Sequence, residues 1–141
     1  MFNLSYEQRL KTWSLFREEL EQSQDPLQDV IDFYKPFPLV SIHTDPYTQS
    51  TWPDPWELLH ENEYCDYCII LAMCYTLQLT DRFSGDTFEI HIGIDKENTT
   101  HYYLLVVGDR VLGFDPDRHV DIKTAFSEVQ SQVTYQMNSG H

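Results

Sequence analysis

The sequence predicts an α+β fold: N-terminal helices, a buried central helix and a small antiparallel sheet. Three observations carry that prediction. Apolar residues in the first stretch recur at three- and four-residue spacing. Residues 64–80 are apolar on nearly every side. From residue 88 the period drops to two.

Ser5-Tyr6-Glu7-Gln8 reads as a capping box, with Ser5 as N-cap and Gln8 at N3. Tyr6, Leu10, Trp13, Phe16 and Leu20 then form one stripe, so the spacing predicts a helix over 6–22. Asp25-Pro26 starts a second helix with Leu27, Val30, Ile31 and Tyr34 on its face, and Pro36 ends it. Five prolines between 36 and 55 exclude a long helix there, leaving Leu39–Ile42 as a short edge strand at most. Asp54-Pro55-Trp56-Glu57 caps a third helix. The run Tyr64–Thr80 predicts a central helix buried all round.

Phe88, Ile90, Ile92 and Ile94 alternate with polar residues and predict a half-buried strand. After a polar turn, His101–Val107 and Val111–Phe114 read as two more strands joined at Gly108-Asp109. Asp121 caps a short helix, Val133–Met137 reads as a last strand, and Asn138–His141 as a loose tail. The 141 residues are expected to form a single domain: helices over 1–36, a proline- and aromatic-rich connector over 37–56, and helix plus sheet over 57–137.

Hydrophobic residues make up 41% of the chain, enough for one core. With 23 acidic and 9 basic residues the net charge is −14, which repels nucleic-acid phosphates and anionic lipid. The expected partners are other protein chains of an assembly, with basic protein surfaces, neutral peptides or glycans as the fitting chemistry, and not nucleic acid or membrane. No signal peptide is visible at the start, and no run reaches the roughly 18–20 apolar residues of a membrane span. Cys65, Cys68 and Cys74 are odd in number and share one helical segment, so a disulfide framework is a poor reading.

Cys65 and Cys68 form C-x-x-C. No strand precedes it, as a thioredoxin-like motif requires, and no second ligand pair completes a zinc set. Asp115, Asp117 and Asp121 lack the calcium-loop pattern. No metal or cofactor is therefore expected. His43, His60, His91, His119 and His141 read as surface residues.

The chemistry-bearing order is Cys65 at a helix start, His101 opening a strand and Asp115 closing the next. That order suits nucleophile, base and orienter. A helix N-terminus lowers a thiol pKa, while Glu61, Glu63 and Asp66 act the other way. Register decides whether His101 and Asp115 share a face. A two-residue turn at Gly108-Asp109 pairs His101 with Pro116 and turns Asp115 away; a three-residue turn pairs the two directly. The sequence leaves both registers open.

Tyr64-Cys65-Asp66-Tyr67, His101-Tyr102-Tyr103 and Gly113-Phe114-Asp115-Pro116 together resemble the transglutaminase-like layout of the papain-like cysteine fold. The resemblance implies a Cys65–His101–Asp115 triad. It covers 55–118 and departs from the family at Tyr64 and at Tyr102-Tyr103. A second resemblance, carried by Asp45-Pro46-Tyr47, Trp52–Leu58 and Tyr75–Leu79, is to uncharacterised virion-associated proteins of large contractile-tailed bacteriophages. The leading expectation is a non-enzymatic assembly component of a tailed-phage virion, located in the virion or in host cytoplasm before assembly. It would bind neighbours through Tyr47, Trp52 and Trp56. The alternative is a cysteine hydrolase or acyltransferase using Cys65, His101 and Asp115.

Overall fold

The computed structural model describes residues 1–41, 43–97 and 99–138. Ile42, Asn98 and the end of the expected tail, 139–141, lie outside the described residues.

Helix α1 spans Tyr6–Leu20, with the Ser5–Gln8 capping box formed in both directions. Helix α2 spans Pro26–Tyr34, capped by the Asp25 carboxylate, which accepts from the Gln28 amide. Helix α3 spans Pro55–Glu61; Asp54 and Glu57 close its capping box, and Asn62 in the left-handed region ends it. Between α2 and α3 the chain is irregular apart from one 3-10 turn at Gln49–Thr51. The expected edge strand is reduced to a single parallel bridge between Leu39 and Tyr64.

Helix α4, Asp66–Gln78, is the centre of the molecule, with Tyr67, Cys68, Leu71, Cys74 and Leu77 fully buried. Thr76 ties it to the outer helices. Its hydroxyl accepts from Trp13 Nε1 at 3.0 Å, lies 2.9 Å from Tyr34 Oη and donates to the Ala72 carbonyl at 2.6 Å. Arg9, buried, is satisfied by the carbonyls of Leu59 at 2.8 Å, Leu4 at 2.5 Å and His60 at 3.1 Å.

The sheet contains β1 (Phe88–Asp95), β2 (His101–Val107), β3 (Arg110–Leu112), β4 (Val120–Asp121) and β5 (Val129–Met137), in the order β4-β3-β2-β1-β5. Phe88, Ile90 and Ile92 are fully buried in the core cluster that contains α4. Ile94 leaves that face in part, because β5 bulges opposite Ile92 and Gly93. Helix α5, Ile122–Glu128, covers the other face. Ala125 packs there with Leu104, Val106, Val111 and Val129.

The edges depart from expectation. Strand β3 stops at Leu112, two residues early, while β5 begins four residues before Val133 and pairs with β1 along its length. No described helix is long and apolar enough to cross a membrane.

Candidate active site

Cys65 is the N-cap of α4, with extended backbone at φ −87° and ψ 173°. The Leu39–Tyr64 bridge, closed by the Val40 amide donating to the Tyr64 carbonyl at 3.0 Å, sets the connector beside that helix start. This brings His43 and Thr44 to the thiols. His43 Nδ1 lies 3.3 Å from Thr44 Oγ1, which lies 3.3 Å from Cys68 Sγ, which lies 3.3 Å from Cys65 Sγ.

The two thiols are pushed in opposite directions. Cys65 is drawn down to about 5, first by its hydrogen bond with the Cys68 thiol, then by the amides of Cys68 and His43 and the charge of His43; burial opposes these. Cys68 is pushed up by the anion beside it and by burial, with the Thr44 hydroxyl pulling weakly the other way. Cys74 is raised by burial alone. Glu61, Glu63 and Asp66 are exposed to water, so they do not reverse the Cys65 shift. The expectation that His43 is a bland surface residue is corrected: its ring is exposed, yet a donor atom lies within 4.8 Å of both sulfurs. These three side chains form a nitrogen and sulfur set of the type zinc takes, one short of a closed site.

A groove of about 370 Å³ adjoins the helix start. Asp66 lines it from the start of α4, His101, Tyr103, Gly113 and Asp115 from the sheet and the segment after β3, and Tyr34, Phe37 and Leu39 from α2 and the connector. The hairpin takes the two-residue turn, with Val107 paired to Arg110 and Leu105 to Leu112. A continuous ladder would send Asp115 to the face opposite His101. The ladder instead ends at Gly113, whose φ is +99° and whose place a Cβ would contest with the Tyr103 carbonyl at 2.4 Å. That break lets His101 and Asp115 line one groove. Asp115 itself accepts from the Asp117 amide at 2.8 Å and faces Arg118 at 3.3 Å. Among the described residues, Cys65 sulfur makes no hydrogen bond to His101, and Cys65 is fully buried.

Of the connector aromatics, Trp52 packs inward on Tyr67 and Tyr135, at ring distances of 5.1 Å and 4.8 Å. Tyr47 and Trp56 remain exposed. On the other sheet face lies a second histidine network. His91 Nδ1 is 2.7 Å from Ser131 Oγ and 3.1 Å from Thr134 Oγ1, and its Nε2 is 3.1 Å from Glu89 Oε1.

Compared by sequence, the chain matches no family model and no curated protein. Compared by structure, it is similar to calcium-bound LapG of Legionella pneumophila, with a TM-score of 0.65 and 15% identity over 94% of this chain and 84% of that one. LapG has a transglutaminase-like cysteine-protease fold. The resemblance to tailed-phage proteins finds no support in these comparisons. The expectation of a non-enzymatic virion component is corrected: the match in fold and the His43–Cys65–Cys68 group favour the enzyme alternative. The chain has the α+β, transglutaminase-like fold that the Cys, His and Asp-Pro segments resemble.

Proposed function

We propose that this chain is a cysteine-dependent amidase, peptidase or acyltransferase with Cys65 as nucleophile, His101 as general base and acid, and Asp115 as orienter. The observation that carries the proposal is Cys65 at the N-cap of α4, beside a groove lined by His101 and Asp115, in a transglutaminase-like fold; the neighbouring Cys68 thiol and the backbone amides draw the Cys65 thiol down in support. The thiolate attacks a substrate carbonyl. The first amides of α4 have no acceptor within the helix and supply donors for the oxyanion. His101 delivers a proton to the leaving nitrogen, and Asp115 holds its ring. Because Cys65 is buried, substrate entry displaces the His43 and Thr44 side chains from the thiols.

The acidic charge and the groove carboxylates Asp66 and Asp115 favour a basic or neutral polypeptide as substrate or partner, with exposed Tyr47 and Trp56 as outer contacts. LapG carries calcium. Calcium takes six to eight oxygen ligands, and the three-residue ligand group found among the described residues is two thiols and an imidazole, which does not fit it. No step here runs through calcium.

A second reading makes His43 the base, because His43 rather than His101 contributes to lowering the Cys65 thiol. Turnover of peptide amides and alkylation by iodoacetamide separate the two. Cys65→Ala abolishes turnover and the fast alkylation, leaving the slow labelling of Cys68 and Cys74. His101→Ala lowers kcat/KM by about 10²–10⁴-fold if it is the base, with His43→Ala milder. The reverse pattern moves the role to His43. Unchanged turnover in Cys65→Ala rejects Cys65 as the nucleophile, and no amide turnover in the native chain rejects the enzyme.

A further inference from the structure

Cys65 and Cys68 do more than lie close. An N-cap side chain folds back over the first turn, and the residue at N3 is the one it meets there. Cys65 is the N-cap and Cys68 is at N3, so the backbone aims one thiol at the other. Their sulfurs are 3.3 Å apart and both cysteines are reduced. A disulfide needs about 2.05 Å between sulfurs and roughly 3.5–4.5 Å between Cβ atoms, so closure takes side-chain rotation together with a backbone adjustment at Cys65, which lies outside the helix proper with extended backbone. Cys74 lies two turns further into the core and takes no part.

We propose that Cys65 and Cys68 are a reversible redox pair: a small hydroperoxide oxidises Cys65, Cys68 resolves it, and the resulting disulfide masks Cys65. The masking of catalysis rests on the function proposed above; formation of the disulfide does not.

The steps balance. Cys65 thiolate attacks the peroxide oxygen, an S–O bond forms and the O–O bond breaks. Cys65 becomes a sulfenic acid, and the leaving alkoxide or hydroxide takes a proton. Cys68 then loses its proton and attacks the Cys65 sulfur. The S–S bond forms, the S–O bond breaks, and water leaves. Two thiols and one hydroperoxide thus give one disulfide, one alcohol (water, for hydrogen peroxide) and one water. The proton on Cys68 has a built path: Thr44 Oγ1 stands 3.3 Å from Cys68 Sγ, and His43 Nδ1 stands 3.3 Å from Thr44 Oγ1. Two positions thus have a redox role that packing alone does not explain, Thr44 as relay and Cys68 as resolving thiol. Burial of both sulfurs favours a small peroxide over a bulky disulfide such as oxidised glutathione.

The test uses the whole chain in chelator, treated with stoichiometric hydrogen peroxide, denatured, alkylated and mapped by mass spectrometry. The expected result is a Cys65–Cys68 disulfide with Cys74 alkylated, reversed by dithiothreitol. In Cys68→Ser, Cys65 is expected to accumulate as sulfenic acid, trapped by dimedone about tenfold more than in the native chain. Thr44→Ala is expected to slow closure without removing it. Sulfinic or sulfonic acid at Cys65 in the native chain, a disulfide between two chains, or no oxidation at all overturns the proposal. The native-chain map needs no variant, so a folding defect in Cys68→Ser leaves the result readable. A mapped disulfide with no amide turnover rejects the enzyme alone; turnover by Cys65 with no disulfide rejects the redox pair alone.

Discussion

Two histidines anchor polar chains on opposite faces of the sheet, and only one chain has the makings of a reactive site. Around His91, a carboxylate, an imidazole and a hydroxyl stand in order: Glu89, His91, Ser131. Around His43, the order is imidazole, hydroxyl, thiol, thiol. By connectivity the His91 chain is the better likeness of a catalytic triad. By chemistry it is the poorer one. Ser131 sits within a strand, with no helix start to stabilise an anion, and a serine hydroxyl has no appreciable anion near neutral pH. Cys65 has a helix N-terminus, amide donors and a partner thiol, and it lies beside a groove. Hydrogen-bond order is easily met on a polar sheet face. A preorganised field at a nucleophile is not.

The sharpest way to break this contrast is to remove each nucleophile. Cys65→Ala is expected to lower amide turnover by at least about 10³-fold, and Ser131→Ala to leave it within about twofold, read as kcat/KM. Turnover lost with Ser131 and kept without Cys65 would invert the comparison.

Next in size is the backbone break that serves the groove. Gly113→Ala meets both a positive φ and the Tyr103 carbonyl, and is expected to cost about 2–4 kcal/mol in denaturant unfolding. An unchanged midpoint would show that the β3 end relaxes freely.

The pH dependence separates the two networks more finely. Alkylation of Cys65 is expected to rise as pH passes about 5 and then level off, because the thiolate is the reacting form. Cys68→Ala removes the leading cause of that shift and moves the midpoint upward, toward the ordinary thiol range. A midpoint unmoved by Cys68→Ala would assign the shift to the amides.

The smallest effect belongs to Glu89, whose carboxyl is lowered by its hydrogen bond to His91. A lowered folded pKa gives stability that is present above the unfolded value and lost as pH falls through the folded one. His91→Ala is expected to bring the Glu89 titration, followed by NMR, back up toward the ordinary carboxylate range, with amide turnover unaltered.

What the sequence announced was local. The Ser5–Gln8 and Asp54–Glu57 boxes, Pro26 at a helix start and the period-two run from Phe88 each act within one or two turns of chain, and each formed as read. The apolar run at 64–80 announced the central helix because it has no polar face to turn outward. The rest depended on distant partners. Strand β5 begins in polar residues, and its length is set by β1 across the sheet. Cys65 was legible from its place at a helix start. His43 was not, because it lies on an irregular segment without periodicity, brought to the thiols by long-range contacts such as the Leu39–Tyr64 bridge and the Thr44–Cys68 contact. Asp115 was legible as part of a Phe-Asp-Pro segment, but its face was not, because turn length alone predicts the wrong side once a glycine interrupts the ladder.

The hairpin turn and Gly113 act as two separate switches of parity. The two-residue turn decides which side of β3 faces α4 and which faces α5. The glycine decides afresh, beyond Leu112, which side chains enter the groove. Core and groove on this hairpin are therefore separately editable. A change of turn length would exchange the inward and outward sets of β3. A change at the glycine would re-aim Asp115, one of the groove's two carboxylates, while the packed strand before it kept its register.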